Sequence, residues 1–283
     1  MSALLEVVPA LAAGVLYARR TATLDRDGRP VPPWRRLCFA AGLLLATAGV
    51  VALGGVAGER FAAHMAEHLL LGDLAALLLV LGVTGPVLQP VLRVRWLRAL
   101  AHPAPALLLW AANLALWHLA PLHEAAVEHG AVHALQHALF VALGVNVWMP
   151  LFGPLPTPPW FGNLAKLGYI VGVRLLGAVL GNVLLWTGHP LYDVYDASDP
   201  LADQTLAAAI MMVEGSLLTL VLFGWLVLRA AREGEERQAL LDLARDRGVE
   251  LSERRAARAV AAGRGAELRR RIEDGDAATP RTV

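Results

Sequence analysis

The sequence has a single cysteine, Cys38, among its 283 residues. That excludes a disulfide framework and any CxxC-type metal or redox centre, because both need at least two thiols. Charged residues are also scarce, at 17%, against 57% hydrophobic residues. Such a composition is too apolar for an ordinary soluble domain. A metal site in this chain must therefore be built mainly from nitrogen and oxygen ligands.

The hydrophobic residues form long runs rather than a stripe along one helix face. A helix needs about 20 mostly apolar residues to cross a bilayer. Seven segments meet this description approximately, at residues 3–18, 37–57, 61–83, 104–120, 131–149, 167–186 and 203–228. The first is short and contains Glu6, but it lacks the basic start and small-residue cleavage site of a signal peptide, so we interpret it as a retained helix.

The expected fold is all-α, a polytopic membrane bundle of seven transmembrane helices in residues 1–231 with a charged cytoplasmic helical tail in residues 232–283. Connections on one side of the predicted spans contain ten Arg or Lys residues, and those on the other side contain only Arg60. Cytoplasmic connections carry the excess of basic residues in membrane proteins. The distribution predicts an N-terminus outside and a C-terminal tail inside.

The tail differs in composition from the rest of the chain. Residues 232–283 contain 12 arginines and 11 acidic residues, and no aromatic residue. The stretch 235–271 predicts one solvated helix of mixed charge, supported by i,i+4 ion pairs. An arm that docks a partner or lipid headgroups is the alternative.

Two histidine pairs at helical spacing lie inside predicted spans, His64/His68 and His133/His137. Residues four apart share a helix face, so both imidazoles of a pair can reach one point. All four lie within ~5–10 Å of the outer end of their spans, and Asp203 opens the last span at the same level. Ionisable residues inside a membrane are functional candidates by default. These five residues are the predicted metal ligands.

Secondary candidates lie around this predicted site. His118 ends the fourth span, and His123 and His129 lie in the predicted outer loop at 118–130. His129 also extends the face of His133 by one turn, although a lone histidine at a helix end more often bonds water or a carbonyl group. Nearer mid-membrane, we expect Glu214 and Arg174 to form a structural ion pair, because an isolated charge there is unfavourable. A proton path or a lower shell of ligands is the alternative.

Three segments carry a family resemblance. They are HMAEHLLLGDLAALLLVLGVTGP from His64, HALQHALFVALGVNVWMPLFGP from His133, and DPLADQTLAAAIMMVEG from Asp199. The first two resemble the histidine helices of the CtaG family of cytochrome c oxidase assembly factors. The third resembles the DP-x-x-DQ motif that opens the last helix of that family. The chain is also similar to the C-terminal half of actinobacterial fusions that join a CopD-like domain to a CtaG domain.

The resemblance implies seven spans, a bacterial cell membrane, a role in the maturation of haem–copper oxidase, and a link to copper. The motif residues that carry over are His64, His68, His133, His137, Asp203 and Gln204, and less closely Glu214. The chain departs from the family at Met212, where the family often has Trp.

We expect a non-enzymatic assembly factor that holds a metal ion, copper first and zinc second, and that passes it to an immature oxidase subunit or stabilises that subunit. Imidazole and carboxylate ligands suit Zn, Cu(II), Fe or Mn. Two alternatives stay open, a membrane zinc hydrolase with a carboxylate such as Asp203 as general base, and a haem protein. The lipid bilayer is the other expected partner, a homo-oligomer is possible, and nucleic acid is not expected.

Overall fold

The structure is a computed structural model that describes residues 2–275, with side chains from residue 7 onward. Within that part of the chain every regular element is helical, which confirms the all-α prediction. The elements are α1 (Ser2–Arg26), α2 (Pro33–Ala57), α3 (Phe61–Leu69), a π-helical segment (Leu70–Ala75), α4 (Ala76–Gly82), α5 (Gly85–Leu92), α6 (Arg95–Leu100), α7 (Pro103–Trp117), α8 (Ala120–Glu128), α9 (Gly130–Phe152), α10 (Asn163–Trp186), α11 (Pro200–Asp246), α12 (Glu253–Ala261) and α13 (Gly265–Glu273). The last eight residues of the predicted tail, 276–283, lie outside the described residues.

Several helices are long and apolar enough to cross a membrane. In the described residues there are five, namely Pro33–Ala57, Phe61–Gly82, Gly130–Phe152, Asn163–Trp186 and Pro200–Asp246. A sixth results if α7 and α8, which meet at a bend of 73°, form one broken span. This is a multi-pass membrane architecture. Crossing by α1, which contains the first predicted span, stays a prediction.

The connection after α7 is helical, where the sequence predicted a loop. The backbone of Leu119 is extended, with φ −72° and ψ 129°, so the chain does not continue in the direction of α7. Pro121 follows in the first turn of α8, where proline is tolerated because the amide group there has no partner within the helix. The chain therefore turns sharply and starts a new helix, and His123 on that helix is buried.

A close contact between backbones aligns the two histidine helices. Gly144 of α9 faces Gly72 of the π-helical segment, and a Cβ atom at Gly144 would collide with the carbonyl oxygen of Gly72. Small residues allow this approach between membrane helices. His68 precedes Gly72 by one turn and His137 precedes Gly144 by two. The contact thus holds the histidines of the two helices side by side.

The chain divides into two compact units, Met1–Thr219 and Leu220–Val283, and the division falls within α11. The second unit corrects the prediction of one solvated helix at 235–271, because three helices occupy this region. Gly248 and Gly263 have positive φ values and lie in the turns between them, where glycine is favoured. The unit has its own apolar core, formed by Leu240, Ala244, Val260, Leu268 and Ile272.

Candidate metal centre

One face of α3 carries three buried polar side chains. His64, Glu67 and His68 follow the i, i+3, i+4 spacing of a single helix face. Their exposed fractions are 1%, 0% and 4%. An ionised carboxylate in such surroundings is strongly unfavourable unless positive charge compensates it. A fully buried glutamate between two imidazoles therefore marks a place where a cation is expected.

Helix α9 brings His133 and His137 to the same place. Their Nε2 atoms lie 4.0 and 3.7 Å from Oε2 of Glu67, and one ligand atom from each of the three residues lies within 4.8 Å of the others. The three residues form a group that can hold a metal ion. Sequence reasoning identified both histidines but missed Glu67 as a ligand. Its position three residues after His64 was the available signal.

The other two predicted histidines border this group. The ring centroids of His64 and His133 are 5.2 Å apart, and those of His68 and His137 are 5.6 Å apart. Both ring nitrogens of His64 and of His68 are buried without a hydrogen-bond partner. Buried polar atoms are normally paired, because an unpaired one is destabilising. Unpaired imidazole nitrogens beside a Glu–His–His group fit a place for a metal ion.

Asp203 has a different set of contacts. Its Oδ2 accepts a hydrogen bond from the Phe61 backbone N–H at 2.7 Å, and it lies outside the group of Glu67, His133 and His137. The first N–H groups of a helix have no partner within the helix, and a carboxylate there is favoured by the helix dipole. Asp203 therefore anchors the start of α3 to the start of α11. Its role as a metal ligand stays a prediction.

Gln204, the neighbour of Asp203, fixes the connection between α10 and α11. Its Oε1 accepts from the Leu191 backbone N–H at 2.8 Å. Its Nε2 donates to the carbonyl oxygens of Leu184 and His189 and to the Thr187 hydroxyl, at 2.9, 3.1 and 3.0 Å. The amide is buried, and its contacts lie in the last turn of α10 and in the loop that follows, so Gln204 positions the backbone of this connection.

His123 joins the cluster, although sequence reasoning placed it in an outer loop. Its ring centroid lies 4.8 Å from that of His64, and its Nε2 contacts the hydroxyl of Tyr195. Burial raises the pKa of the Tyr195 phenol, and Tyr192 and Asp203 raise it further, so Tyr195 stays protonated and can donate to His123. Only the bend between α7 and α8 brings His123 here, and no spacing in the sequence signals it.

The two secondary histidines are held by nearby backbone. Nδ1 of His118 lies 2.8 Å from the carbonyl oxygen of Leu114. His129 is exposed at the junction of α8 and α9, with Nδ1 3.2 Å from the carbonyl oxygen of Ala125. His129 thus makes the ordinary contact of a histidine at a helix end, whereas Nε2 of His118 is buried without a hydrogen-bond partner. Neither residue belongs to the group formed with Glu67.

The ion pair expected between Arg174 and Glu214 is present. Nη2 of Arg174 lies 2.8 Å from Oε2 of Glu214. Asp73 adds a second carboxylate, with its Oδ2 2.9 Å from Nη1 of Arg174. This triad is separate from the group around Glu67.

An apolar cavity of about 370 Å³ lies against α9. Its walls come chiefly from α1, α2, α4 and α9, and His137 is part of its lining. Most other lining residues are Val, Leu, Ala and Met. The cavity can take an apolar molecule that reaches the edge of the metal centre.

Comparisons with known proteins identify the family of the chain. Residues 15–233 match the model of the cytochrome c oxidase caa3 assembly factor family (Caa3_CtaG). The uncharacterized proteins Mb0105 of Mycobacterium bovis and MT0111 of Mycobacterium tuberculosis are each 27% identical over 275 residues, covering 83% of this chain. The chain spans only 41% of the length of either relative. No solved structure matches the chain.

Proposed function

We propose that this chain, which belongs to the cytochrome c oxidase caa3 assembly factor family, holds a copper ion during assembly of a haem–copper oxidase. The observation that carries the proposal is the buried group of Glu67, His133 and His137. His64 and His68 supply further imidazole nitrogens beside it. The metal is cargo, passed to an immature oxidase subunit or held while that subunit folds.

The ligand set favours a copper or zinc ion that can be released. Imidazole nitrogen and carboxylate oxygen bind Cu(II) and Zn(II) well, and the single cysteine of the chain rules out a thiolate pair. Histidine binds metal only when it is neutral, so protons compete with the ion. In this proposal the metal ion is therefore released by protonation of its histidine ligands, without a change in the oxidation state of any residue of the chain.

The asymmetry of basic residues supports a position of this centre near the outer face of the bacterial cell membrane. In this orientation the N-terminus is outside and the charged tail is cytoplasmic. A copper ion held at that depth lies close to the side from which periplasmic or extracellular copper arrives. An oxidase subunit beside the bundle would receive it without the ion crossing the membrane.

Metal content and oxidase maturation test the proposal together. We expect wild-type protein, purified without chelator from copper-supplied cells, to contain about one ion of copper or zinc per chain. His64→Ala combined with His133→Ala should lose that metal and the oxidase activity of the membranes. His129→Ala removes an exposed histidine outside the group and is the matched control. Full metal content and full oxidase activity in the double variant would contradict the proposal.

A second function, hydrolysis by a bound zinc ion, is favoured by the apolar cavity at His137. Two His and one Glu form a ligand set of catalytic zinc sites, which keep a fourth position open for water. A lipid-like substrate in the cavity would approach that position from the membrane. Zinc without copper in the purified protein, together with ester hydrolysis lost in Glu67→Gln, would favour this reading over the assembly role.

A further inference from the structure

Three charged side chains meet below the metal centre, each from a different membrane helix. Arg174 of α10 lies between Asp73 of the π-helical segment and Glu214 of α11, at 2.9 and 2.8 Å. The side chains of Asp73, Arg174 and Glu214 are 6%, 11% and 15% exposed. Each of the three helices belongs to a segment apolar enough to span the membrane. We call these three residues the carboxylate–arginine triad.

The charges of the triad do not balance. Arginine stays protonated in proteins, so two ionised carboxylates around one guanidinium leave a net charge of −1. A net charge in the membrane interior is strongly unfavourable, and ionisable groups there pair or become neutral. One additional proton makes the triad neutral while both carboxyl groups keep their contact with Arg174.

Each carboxyl group also has an oxygen that the arginine does not use. Oδ1 of Asp73 and Oε1 of Glu214 are buried and have no hydrogen-bond partner. Two bonds from one guanidinium thus satisfy only half of the carboxyl oxygens. The unused oxygens are the atoms on which a proton would reside.

The local backbone supports this arrangement. Asp73 lies in the π-helical segment Leu70–Ala75, directly after the histidines of α3. π-Helical turns are rare, and they occur frequently at functional sites. Gly215 on α11 leaves space for the guanidinium, because a Cβ atom there would lie 3.1 Å from Nη2 of Arg174.

We propose that the carboxylate–arginine triad binds one proton, shared between Asp73 and Glu214, in the interior of the membrane domain. The ligand is a proton, and the site shares no residue with the group of Glu67, His133 and His137 that can hold a metal ion. Its occupancy changes the charge of the membrane interior by one unit without requiring a helix to move.

Infrared spectroscopy of the full chain, metal-free and in a detergent without ester groups, tests the proposal. Every sample carries Glu67→Gln, because the fully buried Glu67 would otherwise add a protonated carboxyl group of its own when no cation is bound. In this background the wild-type triad at neutral pH should show the C=O stretching band of a protonated carboxyl group, and this band should shift in D₂O. Asp73→Asn and Glu214→Gln should each abolish the band, because the remaining carboxylate then balances Arg174 one to one. Arg174→Gln should increase it about twofold, since both carboxyl groups would then be neutral.

The matched control is Glu233→Gln. Oε1 of Glu233 lies 2.7 Å from Nε of Arg229, so an arginine already balances this carboxylate, and its removal should leave the band unchanged. A wild-type spectrum without the band would mean that both triad carboxylates are ionised, which overturns the proposal. Persistence of the band in both Asp73→Asn and Glu214→Gln would overturn it as well.

Discussion

Replacement of Asp203 by Ala should loosen the start of the histidine helix. The change removes the carboxylate that accepts the Phe61 N–H at 2.7 Å in a buried position. A hydrogen bond to a charged group contributes about 1.5–3 kcal/mol, and a negative charge at a helix N-terminus contributes about 0.3–1 kcal/mol. Together these give a loss of about 2–4 kcal/mol in the free energy of unfolding.

Asp203→Asn separates this anchoring role from a role as metal ligand. The amide oxygen of Asn can still accept the Phe61 N–H, but the bond becomes a neutral one and the charge at the helix start is lost, so we expect a decrease of about 1–2 kcal/mol, smaller than for Asp203→Ala. Metal content should stay near the wild-type value in this variant. If Asp203 were a required ligand, the same substitution would remove most of the metal, because a neutral amide binds these ions poorly.

The assay is reversible unfolding in mixed micelles, followed by tryptophan fluorescence, with elemental analysis of the same samples. Thr205→Ala is a suitable control, since Thr205 is exposed in the same turn of α11 and its hydroxyl bonds only the carbonyl oxygen of Leu201. Wild-type stability in Asp203→Ala would refute the anchoring argument. Loss of metal in Asp203→Asn with unchanged stability would instead assign Asp203 to the metal.

Three further substitutions probe how the site is positioned. Gly144→Ala should separate the histidine helices, because its Cβ would collide with the carbonyl oxygen of Gly72. We expect lower thermal stability and weaker zinc binding in titration calorimetry. Wild-type values for both would contradict the argument that these two glycines must be in close contact. Gln204→Leu should leave the backbone N–H of Leu191 and the carbonyl oxygen of Leu184 without their partner. We expect the free energy of unfolding to decrease by about 1–3 kcal/mol and the connection to become more accessible to protease. An unchanged rate of proteolysis would count against this role of Gln204. Leu240→Ala should destabilise the core of the second unit by about 2–4 kcal/mol, visible as faster hydrogen exchange in α12 and α13 with metal content unchanged.

Much of the membrane architecture could be predicted from hydrophobic runs alone. Spans at 37–57, 61–83, 131–149 and 167–186 correspond closely to helices of the structure. The reason is physical, since a segment in hydrocarbon must satisfy its backbone internally and therefore becomes a helix. Outside the bilayer this constraint disappears. There the predictions of a loop at 118–130 and of one helix at 235–271 were wrong.

The helical positions of His64, His68, His133 and His137 follow from the sequence, because four-residue spacing within a helix fixes a shared face. Their common depth near the outer face is a prediction from the uneven distribution of arginines across the spans. The four-residue spacing is a local property of the sequence and the arginine distribution is a property of its composition. Both can therefore be recognised from a single sequence.

The tertiary structure decided which groups meet across helices. In the structure, Glu67 lies close to both imidazoles of α9, and the bend before α8 brings His123 next to His64. Asp73 forms a second ion pair with Arg174. Each of these contacts depends on how closely two helices approach and on how each is rotated about its axis. That rotation is set by packing such as Gly144 on Gly72, which involves residues far apart in the chain and leaves no periodic trace in the sequence.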